Sequence, residues 1–127
     1  ELDMGHVFAF LSVEAAYSHG TEWLDQCLAY IQGNIDFVDD FLKNHAPKIK
    51  AIRPEASYLV WLDCRELELS QKDLNEFFVD KAHLALNDGE MFGKEGIGFM
   101  RLNVASPRCI IEKAMKQLAD AYQLYIK

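Results

Sequence analysis

The chain has 127 residues, half of them apolar, and a formal net charge of −7 at pH 7 with a sequence pI of about 5.0. This length suffices for one sizeable core and is too short for two independent domains. The acidic balance argues against a nucleic-acid partner, and no apolar run reaches the ~20 residues that cross a bilayer. We therefore expect a single domain over residues 1–127 that is soluble and cytoplasmic.

Two helices are predicted in the first third of the chain. Val7–Tyr17 favours a short helix. Thr21 can cap a second helix that runs to about Asn44, because its apolar residues recur at spacings of three and four. Gly33 and Asn34 lie inside this helix and cost roughly 1 kcal/mol or more in helix propensity, so we expect it to deviate from a straight course there.

Two strands and a capped helix are predicted in the middle of the chain. Ser57–Cys64 is rich in residues that suit a pleated, buried surface, which predicts a core strand. Ser70 is the predicted N-cap of a helix, with Asp73 three residues further on. Leu84–Asn87 predicts a short strand, and the glycine-rich stretch 88–98 that follows lacks the spacing of a phosphate-binding loop and is interpreted as a mobile connection.

The third predicted strand, Phe99–Ala105, carries an arginine in its interior. The period of two places Met100 and the other aliphatic residues on one face and Arg101 and Asn103 on the opposite face. A guanidinium in mid-strand needs an acidic partner or solvent, so from the residues alone the default interpretation is a surface arginine. Asn103 is expected to support the strand.

A terminal helix completes the predicted fold. Ser106 and Pro107 supply its start, and one side of it is marked by Ile111, Met115, Leu118, Tyr122 and Tyr125. Together the elements predict an α+β fold in which helices pack on one face of a small, mostly antiparallel sheet.

The remaining chemically active residues do not form a recognisable motif. The acidic residues Asp63, Glu66 and Glu68 are interpreted as a solvated strand end and turn. No metal site is expected, because no signature such as HExxH links the histidines, which are His6, His19, His45 and His83. The odd number and wide spacing of the cysteines favour reduced, mostly buried thiols at Cys27, Cys64 and Cys109.

Four segments, taken together in chain order, resemble one enzyme family. Gly98–Arg108 resembles the late arginine motif of class I and II aminotransferases, in which an Arg-x-Asn run precedes the terminal helix. Ala15–Asp25, Tyr58–Asp63 and Asp88–Gly93 are similar to the bacterial cystathionine β-lyase-like carbon–sulfur lyases of the MalY–PatB branch. The chain therefore resembles the C-terminal domain of a fold type I enzyme that uses pyridoxal 5′-phosphate (PLP).

The resemblance implies a homodimeric PLP enzyme that converts cystathionine or cysteine to pyruvate, ammonia and a thiol. It implies that Arg101 binds the α-carboxylate of the amino-acid substrate. The Schiff-base lysine and the other cofactor-binding residues would lie in a large domain upstream of Glu1; Lys94, for example, is in a glycine-rich loop. We therefore expect a fragment or a processed chain that by itself has no catalytic residue, binds no cofactor and is inactive.

The resemblance also implies a division of the chain and leaves alternatives open. Residues up to about 46 would link to the missing large domain, and 47–127 would form the small α+β domain. The first helices are expected to expose apolar surface that the large domain or a second subunit would cover. An aminotransferase of the same fold would use Arg101 in the same way, and a free-standing amino-acid-binding module or a bare interaction domain is a further alternative, since fold does not fix function.

Overall fold

The computed structural model describes residues 6–125, and the chain divides into two compact units, Glu1–Gln32 and Gly33–Lys127. None of the helices in the described residues combines the length and the apolarity needed to cross a membrane. The proposed boundary near residue 46 stays a prediction.

Both predicted N-terminal helices are confirmed. Helix α1 spans Val7–His19 and helix α2 spans Thr21–His45. Each ends within about two residues of the expected position, which is the usual uncertainty of helix ends. In α1 the apolar residues are spread around the whole circumference and none is buried. A helix that is apolar on all sides is typical of a segment surrounded by other protein.

A four-stranded antiparallel sheet with the order β1-β2-β4-β3 lies in the second unit. The strands are Lys50–Ile52 (β1), Leu59–Asp63 (β2), Asn87–Asp88 (β3) and Phe99–Asn103 (β4). Strands β2 and β4 fall within the two longer predicted strands. Strand β1, by contrast, was not predicted, because a three-residue strand with a lysine at its start shows no apolar run.

The strand predicted at Leu84–Asn87 is wrong in its placement. Only Asn87 belongs to β3, and the backbone N–H of Leu84 donates to the carbonyl of Phe78 at 2.8 Å. The apolar run therefore closes the preceding helical turn and does not pair with β4.

One face of the sheet is covered by helices. Along β2 and β4 every second residue is buried, namely Val60, Leu62, Met100 and Leu102. Helix α4, Arg108–Tyr125, and the second half of α2 contribute apolar residues to the same core. The α+β class with helices packed on one face of a small antiparallel sheet is thereby confirmed.

The capped middle helix is also confirmed and has an unexpected end. Helix α3 spans Gln71–Glu76, and the hydroxyl oxygen of Ser70 accepts from the backbone N–H of Asp73 at 3.2 Å. The chain then continues through one π-helical turn, Phe77–Lys81, which buries Phe77 and Phe78.

The glycine-rich stretch, which we interpreted as a mobile connection, contains regular structure. It forms two 3-10 turns, Gly89–Phe92 and Lys94–Gly96. Their backbones lie so close that a Cβ atom on Gly89 would be 2.2 Å from the carbonyl oxygen of Gly96. Glycine is required here because the two turns pack backbone against backbone.

Candidate functional site

Arg101 lies in the middle of β4, on the face of the sheet opposite the core that α4 and the second half of α2 cover. Strand β4 is flanked by β2 and β3, and the residues directly across from Arg101 are Trp61 and Asn87. Its neighbours along the strand, Met100 and Leu102, are buried on the opposite face. The alternation predicted from the sequence therefore places the arginine outside the core but in the centre of the sheet.

Two neighbouring side chains contact the guanidinium. Its Nη2 atom donates to the side-chain oxygen of Asn87 at 3.0 Å. Its Cζ atom lies 4.4 Å from the ring centre of Phe92, in the range of a cation–π contact. Asn87 therefore holds one edge of the guanidinium and Phe92 covers one of its faces.

The described residues provide no carboxylate for Arg101. None of the ion pairs found between residues 6 and 125 includes Arg101. Its Nε atom is buried and has no hydrogen-bond partner in the described part of the chain. A planar, uncompensated fork of N–H donors suits a carboxylate, which can accept two parallel hydrogen bonds from it.

An aromatic hollow adjoins Arg101 on the same face of the sheet. The ring of Trp61 meets those of Phe92 and Phe99 edge to face, with centres 5.4 Å and 6.1 Å apart. With Glu95 and Gly96 they line an open cavity of about 290 Å³. The surface beside the guanidinium is therefore largely apolar.

A second arginine on this face is neutralised. Arg65 donates from Nε and Nη2 to the two carboxylate oxygens of Asp63, at 2.9 and 2.7 Å, and its Cζ atom lies 4.8 Å from the ring centre of Phe99. These hydrogen bonds hold the pKa of Asp63 below its usual value. Arg65 and Arg101 therefore differ in that only Arg65 has a carboxylate partner.

The three acidic residues singled out in the sequence have separate surroundings. Asp63 pairs with Arg65, and Glu66 forms an ion pair with Lys50. Glu68 is exposed, with a φ of 57°, at the end of the 3-10 turn that follows β2. The structure gives no paired carboxylates for acid–base work at this place.

The short strand β3 is held by a polar cluster that sequence reasoning missed. The carboxylate of Asp88 accepts hydrogen bonds from the side-chain amides of Gln71, at 2.6 Å, and Asn75, and from the backbone N–H of Glu90 at 2.8 Å. The side-chain oxygen of Gln71 in turn accepts from the backbone N–H of Gly98 at 2.7 Å. These bonds connect α3 to both ends of the glycine-rich stretch and so position β3 beside β4.

The cysteines and histidines show no site of their own. Within residues 6–125 no group of three or more His, Cys, Asp and Glu side chains could hold a metal ion. The expectation that the thiols are mostly buried holds for Cys64, whose pKa is raised by burial, and is wrong for Cys109, which is exposed. Cys27 is half-buried.

Comparison with known proteins finds relatives that match more than 90% of the chain. No family model matches it. Cystathionine β-lyase PatB of Bacillus subtilis (strain 168) is 36% identical over 116 residues, which cover 91% of this chain and 30% of that protein. Protein MalY of Escherichia coli (strain K12) is 33% identical over 115 residues, with the same two coverages.

A solved structure agrees with these sequence matches. The crystal structure of cystalysin from Treponema denticola, which contains PLP, matches with a TM-score of 0.90 and 35% identity over 95% of this chain. The chain spans about 30% of the length of all three proteins. The matched portion is their small C-terminal part.

Proposed function

Because the chain belongs, as a C-terminal part, to the cystathionine β-lyase (MalY–PatB) branch of the aminotransferase superfamily, we propose that the full-length protein is a PLP-dependent carbon–sulfur β-lyase. Its substrates would be β-thio amino acids such as cystathionine or cysteine, and its products pyruvate, ammonia and a thiol. This chain would be the small domain, and the large domain upstream would hold the cofactor and its lysine.

The placement of Arg101 is the observation that supports a role in substrate binding. Its guanidinium is fixed by Asn87 and Phe92, is central on the face of the sheet opposite the core, and has no carboxylate partner in the described residues. In the proposed enzyme it binds the α-carboxylate of the substrate through charge-assisted hydrogen bonds. Binding by two parallel bonds also fixes which bond at the α-carbon is aligned for cleavage.

The cofactor would supply the electron sink on which the elimination depends. The contribution of this chain is to hold and orient the substrate and to exclude water from it. The apolar rings of Trp61, Phe92 and Phe99 beside Arg101 lower the local polarity, which strengthens the attraction between the guanidinium and a carboxylate.

We further propose a cytoplasmic homodimer, in which the exposed apolar residues of α1 lie against the large domain. This placement would give every side of the helix an apolar environment.

The decisive experiment uses the full-length protein, identified by reading the coding frame upstream of Glu1. The wild-type enzyme should release pyruvate and a thiol from cystathionine. Replacing Arg101 by Ala should lower kcat/KM by about 100-fold or more, since it removes charge-assisted hydrogen bonds of about 1.5–3 kcal/mol each. Arg101→Lys keeps the positive charge but lacks the planar pair of N–H donors, so its kcat/KM should lie between those of Arg101→Ala and the wild type.

Arg53→Ala is the matched control. Arg53 is an exposed arginine that directly follows strand β1 and forms an ion pair with Asp36. It should leave kcat/KM within about threefold of wild type. Full activity in Arg101→Ala would refute the role of this residue. Amino-group transfer without pyruvate release would identify the parent as an aminotransferase, and a start codon just before Glu1 would favour a free-standing binding module.

A further inference from the structure

Asn87 contacts Arg101 through a neutral hydrogen-bond acceptor. The two residues face each other across β3 and β4, and the side-chain oxygen of Asn87 accepts from Nη2 of Arg101 at 3.0 Å. Asn87 is exposed, so the contact is not part of the core. The contact joins the edge strand of the sheet to the group proposed to bind substrate.

We propose that Asn87 is a positioning residue, which orients the guanidinium of Arg101 toward a carboxylate ligand while leaving its positive charge uncompensated. The inference rests on the proposed role of Arg101 and extends it to a second residue. An amide oxygen directs an N–H group as a carboxylate does but carries no net charge. The guanidinium thus has a fixed orientation and keeps its full attraction for an anion.

The second arginine on the same face shows what a carboxylate neighbour does. Arg65 has two of its N–H groups on Asp63, and the hydrogen bonds lower the pKa of that carboxyl, so the pair is mutually neutralised. Arg101 has an amide where Arg65 has a carboxylate. Of these two arginines, the one held by Asn87 is the one that can attract an anionic ligand.

Phe92 adds a second constraint on the same group. With the ring 4.4 Å from Cζ and the amide at Nη2, rotation of the guanidinium about its last side-chain torsions is restricted from two directions. A group that is already ordered loses less conformational entropy when its ligand binds. Asn87 therefore contributes to affinity without touching the substrate.

The test is Asn87→Asp in the full-length protein loaded with PLP. Aspartate keeps the acceptor and adds a charge that pairs with Arg101 within the molecule, in competition with the ligand. The ligand is α-methyl-L-methionine, an amino acid without a proton on its α-carbon, and its Kd is read from the cofactor absorption. We expect Kd to rise about tenfold or more, with a Tm equal to or above that of wild type, because the variant gains an ion pair.

Asn87→Ala removes the acceptor without adding a charge. Its Kd should rise by about three- to tenfold, as expected for the loss of one hydrogen bond. For a reacting substrate both variants should raise KM more than they lower kcat. A lower Tm in Asn87→Asp with unchanged Kd would assign Asn87 a purely structural role and overturn the proposal.

Asn103→Asp is the matched control for the added charge. Asn103 lies two residues from Arg101 on the same face of β4, and its side-chain oxygen accepts from the backbone N–H of Ala105 at 2.9 Å, which an aspartate can also do. At a separation of about 7 Å in water the effect on Kd should stay below about threefold. An equal weakening in Asn103→Asp and Asn87→Asp would show a general charge effect and overturn the proposal.

The failure of the lyase proposal would be recognised separately. The wild-type protein could bind α-methyl-L-methionine without releasing pyruvate from cystathionine. If Asn87→Asp then weakens this binding, the positioning role of Asn87 is supported and the assignment of the reaction is refuted. If Arg101→Ala binds the ligand as tightly as wild type, the positioning role of Asn87 is refuted for any reaction.

Discussion

The side-chain oxygen of Asn34 accepts a hydrogen bond from Nε of Arg108 at 2.8 Å, between residues 74 positions apart in the chain. The nitrogen of the same amide donates to the backbone carbonyls of Val104 and Ser106, each at 2.9 Å. Asn34 is 0% exposed to solvent. One buried amide thus joins helix α2 both to the loop between β4 and α4 and to the first residue of α4.

Replacing Asn34 by Ala should therefore destabilise the protein strongly. The change removes three hydrogen bonds of a buried amide, so we expect a loss of about 2–4 kcal/mol in the free energy of unfolding, measured with urea. Asn44→Ala is the control: Asn44 is exposed and bonds only within its own helix, and its loss should stay below about 0.5 kcal/mol. Similar losses at both positions would show that the amide network contributes nothing specific.

Gly89→Ala should disrupt the contact between the two 3-10 turns. The added Cβ would lie 2.2 Å from the carbonyl oxygen of Gly96 and 2.5 Å from that of Phe99, and backbone cannot move aside without cost. A loss of about 1–3 kcal/mol is expected from such overpacking, again from urea unfolding. The exposed neighbour Glu90, changed to Ala, should have little effect, and a stable Gly89→Ala variant would contradict the close approach.

The ion pair of Asp63 with Arg65 should contribute to stability in a pH-dependent way. The pKa of Asp63 is lower in the folded chain than its unfolded value of about 3.9, so the contribution is present above pH 4 and is lost as the pH falls through the lowered pKa. Comparing urea midpoints of wild type and Asp63→Asn should show a difference that is constant from pH 5 to 7 and shrinks below pH 4. A difference independent of pH would contradict this pairing.

The three thiols should differ in their reactivity toward a disulfide reagent such as DTNB. Cys109 is exposed and should react fastest, whereas Cys64 is buried and its pKa is raised by that burial, so little thiolate forms. In a Cys27→Ser, Cys109→Ser variant, labelling should require unfolding and should speed up with urea. Rapid labelling of this variant in the native state would show that Cys64 is accessible.

Local sequence patterns predicted the long elements well. The three- and four-residue spacing in α2 and α4, the Ser70 cap, and the alternation around Arg101 are all set by residues close together in the chain. The resemblance of the Gly98–Arg108 segment added what periodicity does not contain, namely the family, together with the substrate-binding role that we propose for Arg101.

Features that depend on distant partners were missed. For Asn34 the sequence predicts only a cost in helix propensity. Its hydrogen bonds were not predicted because the three partners lie 70 to 74 residues away. The strand placed at Leu84–Asn87 followed an apolar run, whereas β3 is positioned by Asp88 and its amide partners. The pairing of Asn87 with Arg101 likewise follows from sheet register, which single-strand patterns do not specify.

In the proposed substrate site, the brevity of β3 would link carboxylate affinity to a local opening equilibrium. Asn87 lies on a two-residue strand at the edge of the sheet, and that strand stays in place through the hydrogen bonds of Asp88 to Gln71 and Asn75. Edge segments with few backbone bonds open far more often than the core does. If Arg101 binds the carboxylate as proposed, each such opening would release its guanidinium from Asn87. Substitutions at Asn75 should therefore change carboxylate affinity without touching the ligand, with hydrogen exchange at the β3 amides as the measure of opening.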